Sequence, residues 1–154
     1  VSPWYHNNEL VEDESAFPEG AVGFIYLITR LSDGKAYYGK KLCWFTKTSV
    51  KTVTQKNGVK KKKKTRSLVP SDWRTYWSSS ANLVADVKLL GEAAFKREIL
   101  EFCYGKGELS YVEMRYQMDA RVLENPDKWY NGIVNARVSS VHIKKYLERQ
   151  KIIL

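Results

Sequence analysis

The 154-residue chain carries 26 Lys and Arg against 17 Asp and Glu, a net charge of +9, with 44% hydrophobic and 13% aromatic residues. This length and apolar content fit one globular domain with its own core, and the positive surplus points to a polyanionic partner, nucleic acid before an anionic membrane surface. Cys43, Cys103, His6 and His142 show no metal-ligand spacing and no run of about 18 apolar residues occurs, which argues against a zinc site and a transmembrane helix and for reduced thiols inside a cell.

Residues 1–20 hold five acids, Glu9, Glu12, Asp13, Glu14 and Glu19, and no Lys or Arg. They read as a loosely held acidic arm, unlike a signal peptide, with a DNA-mimicking cover over a basic groove as a second reading. The domain itself is expected over 21–154. Phe24-Ile25-Tyr26-Leu27-Ile28 is a short run of β-formers that predicts a buried strand. Ser32-Asp33-Gly34-Lys35 is turn chemistry, and Ala36 to Cys43 predicts the return strand of a hairpin. Side chains alternate across a strand, so Tyr26 and Ile28 share a face and Tyr37 and Tyr38 point to opposite faces.

Residues 44–70 form a basic insert: Lys47, Lys51, Lys56, Lys60 to Lys64 and Arg66 give nine positive charges and no acid. An Asn57-Gly58 turn signal between polar arms leaves two readings, a β-hairpin extending from the domain or a disordered loop. Five adjacent lysines repel one another unless a polyanion is near, so the insert is expected to track phosphates.

Pro70-Ser71-Asp72-Trp73-Arg74 predicts a helix start with Ser71 as N-cap and Arg74 in the first turn. A second start at Ser79 or Ser80 leads into Leu83, Val84, Val87 and Leu90 at helical spacing, stopped by Gly91. Phe95 to Cys103 predicts a third strand. Lys106-Gly107-Glu108-Leu109-Ser110 leads into a long helix expected to run to about Glu124, with Leu109, Val112, Tyr116, Ala120 and Leu123 on one stripe. Trp129-Tyr130-Asn131-Gly132 supplies an aromatic pair before a turn, and a last amphipathic helix is expected at about Ser140 to Lys151. The sum is an α/β (α+β) fold: a small, three-stranded, mainly antiparallel sheet flanked by helices.

Glu113 lies on or beside the stripe that faces the core, where a lone charge is costly. Two readings stand. Ser110-Tyr111-Val112-Glu113 fits a capping box, and a single carboxylate also suffices to hold Mg²⁺ whose other ligands are water and substrate phosphate. Taken singly, a strand tyrosine is usually packing, Asn131 before Gly132 reads as a turn residue, and Arg74 reads as a surface charge.

Together these residues resemble the GIY-YIG nuclease family. Its first motif stands as Phe24-Ile25-Tyr26, with Gly23 one position early, and its second as Tyr37-Tyr38-Gly39; Tyr26 and Tyr37 are eleven residues apart. The segment AAFKREILEFC is similar to one in phage-encoded members, Glu113 matches the family's lone metal-binding glutamate, and Asn131 matches its late asparagine. The resemblance runs from about Val22 to Val134. It implies a metal-dependent DNA endonuclease that hydrolyses phosphodiester bonds, most like the compact phage-encoded Seg-like homing endonucleases.

The resemblance also implies roles. Tyr26 is the expected general base toward the attacking water and Tyr37 its partner. Glu113 is expected to hold one Mg²⁺ or Mn²⁺, and Arg74 to steady the transition state, with Lys40 or Lys41 sharing that work. The basic insert separates Arg74 from Gly39, which departs from the family pattern; Tyr76 lies close by in sequence. A free phenol has a pKa near 10, so the metal, Lys40 or Lys41 is expected to lower it. The implied partner is double-stranded DNA, contacted by Lys60, Lys61, Lys62, Lys63, Lys64 and Arg66, with no membrane, in the cytoplasm of a bacterial host if the chain is phage-encoded. A monomer or a DNA-induced dimer would act. The alternative is a catalytically silent nucleic-acid-binding module on the same fold; a basic RNA-binding protein explains the charge and leaves the tyrosine spacing unexplained.

Overall fold

In the computed structural model, which describes residues 2–153, the strands are β1 (Trp4–His6), β2 (Glu9–Val11), β3 (Gly23–Arg30), β4 (Ala36–Leu42), β5 (Trp44–Thr54), β6 (Lys60–Pro70) and β7 (Phe95–Cys103). The helices are α1 (Ala81–Leu90), α2 (Lys106–Asp119) and α3 (Lys144–Ile153). β3 pairs antiparallel with β4 on one side and β7 on the other. Gly23, Phe24, Ile25, Tyr26 and Ile28 are all buried, because a central strand covered on both faces needs an unbroken apolar run rather than an alternating one.

The expected three-stranded sheet is present as β7-β3-β4, but the full sheet has five strands in the order β2-β1-β7-β3-β4. Residues 4–11 supply the other two: β1 lies parallel to β7, and β2 returns antiparallel to β1 through Asn7 and Asn8. Both asparagines have positive φ, 51° and 65°, a region asparagine tolerates better than most residues. The loosely held arm expected over residues 1–20 is therefore corrected. Trp4 is 1% exposed and packs edge-on against Phe24 and Tyr26, with ring centroids 5.4 and 5.6 Å away. Its indole N–H donates to the Trp73 carbonyl at 2.9 Å. One buried aromatic of this size outweighs the acids around it, since full burial of a large apolar side chain is worth about 1.5–3 kcal/mol.

The basic insert folds as a separate two-stranded sheet, β5 antiparallel to β6, closed by Asn57-Gly58 with Gly58 at φ 80°. Helix α1 starts and stops as expected: the Ser80 hydroxyl accepts from the Leu83 N–H at 3.3 Å, and Gly91 ends the helix at φ 91°. The expected helix start at Ser71 yields only a 3₁₀ turn, Trp73–Thr75. There the Ser71 hydroxyl accepts from Trp73 N–H at 3.2 Å but donates to the Leu42 carbonyl at 2.6 Å, tying the turn to β4. Trp73 is buried below it.

Helix α2 begins at Lys106, with Gly105 as its N-cap, so Ser110 and Glu113 lie inside it and the expected capping box does not form. Glu108 does that work instead: its carboxylate accepts from the Tyr104 N–H and pairs with Arg149 of α3. The helix stops at Asp119 because Arg121 turns left-handed at φ 54°. Leu123, expected on the buried stripe, is 51% exposed, and Val122 takes its place in the core.

Arg97 is buried on β7 between the rings of Trp4 and Trp77, at 4.7 and 4.3 Å, and donates to the Tyr76 carbonyl at 2.9 Å. Burial pulls its pKa down to about 10. The sandwich fixes the main chain at Tyr76, which matters for the site below. Among the described residues no helix is long and apolar enough to cross a membrane.

Candidate active site

The register of β3 and β4 sets Tyr26 opposite Gly39 and Ile28 opposite Tyr37. Tyr37 and Gly39 lie two apart on one strand, so the Tyr26 and Tyr37 rings stand on one face of the sheet, 6.2 Å between centroids. Tyr38 points the other way and stacks on Trp129 at 4.9 Å. Gly39 is what lets the Tyr26 ring lie across the hairpin. A Cβ at that position would collide with the Tyr26 hydroxyl and come within 2.8 Å of the Tyr37 ring. Gly39→Ala is therefore expected to cost about 1–3 kcal/mol of stability, the usual range for overpacking, and to displace the Tyr26 hydroxyl; an unchanged urea midpoint would show that the ring moves freely.

Gly23, one position early for the first motif, has a packing reason of its own. A Cβ there would lie 2.6 Å from both the Leu109 side chain and the Lys41 carbonyl. Its bareness lets α2 approach the hairpin, and Leu109 and Val112 seat the helix against Ile25 and Cys103. That seating turns Glu113 toward the tyrosines.

Tyr26, Tyr37, Lys40, Tyr76 and Glu113 line one open cleft of about 540 Å³, with Gln117 one turn beyond Glu113 on α2. The Tyr76 ring meets the Tyr26 ring edge-on, 6.0 Å between centroids. The Tyr37 hydroxyl shares a hydrogen bond with Ser79 at 3.2 Å. Lys40 reaches Ser110 of α2 at 2.7 Å, at the cleft rim.

The electrostatics differ from expectation at Tyr26. Burial pushes its pKa well above 10, and the neighbouring Tyr76, Tyr37 and Glu113 push the same way. Neither Lys40 nor Lys41 is placed to bring it down. The Lys40 ammonium and main-chain amide act on Glu113 instead, opposing the larger effect of burial, which raises that carboxyl above its usual range. Lys41 is held by Asp72 and lies over the Tyr76 ring at 4.0 Å.

Arg74 is not brought to the cleft. It pairs with Glu14 at 2.8 Å, while the Trp73 indole donates to the same carboxylate at 3.1 Å. The latch is a consequence of the folded N-terminal segment, which charge alone does not reveal. Asn131 is buried and turned toward main chain: it accepts from Tyr38 N–H at 3.0 Å and donates to Tyr38 C=O at 2.8 Å. With Tyr130 N–H donating to the Ala36 carbonyl at 2.8 Å, the segment covers the outer edge of β4 and fixes the strand that carries Tyr37. The sequence marks Ser79 only as a candidate helix start and does not single out Gln117. Gln117 was findable, since a residue four after Glu113 shares its helix face; it donates to the Tyr38 carbonyl at 3.2 Å.

Among the described residues no group of three or more His, Cys, Asp and Glu gathers to hold a metal by side chains alone. Glu113 still fits a divalent ion. Its half-buried carboxylate lines the cleft, burial disfavours its charge by more than Lys40 favours it, and Mg²⁺ commonly takes one or two carboxylates and fills its remaining positions with water and phosphate.

A hairpin presenting two phenols on one face, beside a helix-borne carboxylate, is the arrangement that the sequence motifs lead to. Residues 4–134 match the family model described as "Putative endonuclease segE, GIY-YIG domain", and the chain belongs to this Seg-like branch of the GIY-YIG endonuclease domains. The match takes in β1 and β2 and stops before α3. No curated protein and no solved structure matches the chain.

Proposed function

We propose that the protein is a metal-dependent endonuclease that hydrolyses phosphodiester bonds of double-stranded DNA in the cleft between the β3–β4 hairpin and α2. The observation that carries this reading is the convergence of Tyr26, Tyr37, Tyr76, Lys40 and Glu113 on one cleft in a chain of a nuclease family. Glu113 would hold one Mg²⁺ or Mn²⁺, which when bound supplies charge stabilisation at the phosphate and leaving oxygens.

The other roles belong to the chain's own groups. The attacking water gives its proton to Tyr26 Oη in the phenolate form, which is scarce near neutral pH because burial raises the pKa. Tyr37, steadied by Ser79, orients water or a phosphate oxygen. Lys40 at the rim donates to the phosphate and takes the place expected for Arg74. Asn131 and Gln117 act through β4, as positioning residues. The exposed lysines of the insert, Lys60 to Lys64 with Arg66, hold the DNA backbone.

A monomer with one such cleft nicks one strand, and a double-strand break needs two events or a DNA-induced dimer. A homing role for a phage or mobile element, acting in the bacterial cytoplasm, is the biological setting this reading favours. The test is supercoiled plasmid incubated with Mg²⁺ or Mn²⁺. Conversion to nicked and then linear DNA, blocked by EDTA, is expected. Folded protein that binds the plasmid and leaves it supercoiled with either ion would instead make the chain a silent binding module.

A further inference from the structure

We infer that the β5–β6 ribbon enters the major groove of duplex DNA and is held there by cations on both of its faces. The inference rests on the reading of DNA as substrate and goes beyond phosphate contact. Among the described residues the ribbon makes no strand pairing with the main sheet. Its strands are each eleven residues long, about 36 Å at the usual rise per residue, close to one turn of B-DNA at about 34–36 Å. From Val50 to Leu68 every residue is exposed.

The pairing register sorts the charges. Thr48 lies opposite Arg66, Val50 opposite Lys64, Thr52 opposite Lys62 and Thr54 opposite Lys60. Directly opposed residues share a face, so one face carries Lys60, Lys62, Lys64 and Arg66 in a row on β6. The other carries Lys61 and Lys63 on β6 with Lys47 and Lys51 on β5. Four cations stand on each face, none of them in an ion pair among the described residues. A ribbon lying flat on a single phosphate wall needs charge on one face only. Charge on both fits an element flanked by two phosphate walls, as in a groove.

Groove dimensions choose which one. The major groove of B-DNA, about 12 Å wide, admits a two-stranded β-ribbon, whereas the minor groove at about 6 Å is too narrow. Val50 and Val53, exposed near the tip on opposite faces, give apolar surface of the kind that meets thymine methyl groups, which project only into the major groove. The A-form RNA duplex, with its deep and narrow major groove, should exclude the ribbon although its charge is similar.

The experiment measures binding by fluorescence anisotropy in EDTA, so that cleavage plays no part. Labelled duplex DNA, duplex RNA of the same sequence and single-stranded DNA are titrated across a salt series. Four proteins are compared: wild type, the β6-row variant (Lys60, Lys62, Lys64 and Arg66→Gln), the opposite-face variant (Lys47, Lys51, Lys61 and Lys63→Gln), and a shortened protein with 48–66 replaced by Asn-Gly. All substituted side chains are exposed, so the Gln variants should fold even if the shortened chain does not. Wild type is expected to bind duplex DNA at least tenfold more tightly than duplex RNA or single-stranded DNA. Each four-charge variant should flatten the log–log salt slope by about 3.6, from a slope of about 0.9 per phosphate contact. Methyl green, a major-groove ligand, should displace the protein where netropsin, a minor-groove ligand, does not. Equal binding to the two duplexes, loss confined to one face variant, or displacement by netropsin alone would each overturn the inference. These binding results with a protein that never cuts plasmid would remove the nuclease reading and leave the ribbon standing.

Discussion

Glu113→Gln is expected to reduce cleavage by about 10³-fold or more and, in the same protein, to raise the melting temperature measured without metal. The activity loss follows from removing the only carboxylate among the described residues that line the cleft. Metal stabilisation of the transition state is worth several kcal/mol, and each 1.36 kcal/mol is a factor of ten. The stability gain follows from linkage. Burial raises the Glu113 pKa in the folded state above its unfolded value near 4.5. The stability tied to the protonated form is fully present below that unfolded value and is lost as pH rises through the folded one. At pH 7 the wild type therefore carries a disfavoured buried charge that Gln lacks, while Gln still offers an oxygen to the Lys40 main-chain amide. The difference in melting temperature should be larger at pH 7 than at pH 4, and added Mg²⁺ should stabilise only the wild type. A variant that melts lower at pH 7 would mean that the Lys40 contacts outweigh burial, and one that cuts normally would remove Glu113 as the metal ligand.

The parts of this molecule that are legible in the sequence are those built from local chemistry. The β3–β4 hairpin follows from an apolar run, an Asp-Gly turn and a return strand, and these alone set Tyr26 and Tyr37 on neighbouring strands. α1 follows from Ser80 and Gly91. β1 is not legible, because its partner is β7: Trp4 pairs with Arg97, and no local pattern announces a parallel pairing across that distance. The acids around Trp4 suggest a loose arm, although the tryptophan decides where the segment goes. The displacement of Arg74 is a second result of the same event, since Glu14 reaches it only because the N-terminal segment is docked. At Glu113 the sequence holds two readings of one residue, and the choice turns on where α2 begins. Starting at Lys106 gives the capping work to Glu108 and frees Glu113 for the cleft. Asn131 is recognisable by its motif, yet its side chain acts on the Tyr38 main chain rather than in the cleft.

The rate of cleavage should climb with pH across the whole range in which the protein stays folded, about one log unit per pH unit from pH 6 to 9. A general base works only when deprotonated, and Tyr26 is buried so that its pKa lies well above 10. Below that pKa the ionised fraction grows tenfold per unit, so no plateau is expected before pH 10. The same shift limits the upper end. Stability tied to the neutral phenol is present below the unfolded pKa near 10 and is lost as pH rises through the higher folded value, so the measurement belongs below pH 10. Tyr26→Phe should reduce kcat/KM by about 10²–10⁴-fold, the usual contribution of general base catalysis, and should flatten the profile. Tyr37→Phe removes only the hydroxyl held by Ser79 and should lower the rate while keeping the slope. The two variants separate the phenols by profile shape rather than by size of effect. A slope that survives in Tyr26→Phe would assign the base elsewhere in the cleft, with Tyr76, whose ring packs edge-on against Tyr26, the next residue to replace. A plateau near pH 7 in the wild type would mean that bound DNA and metal bring the Tyr26 phenol down by several units, which burial in the free protein opposes.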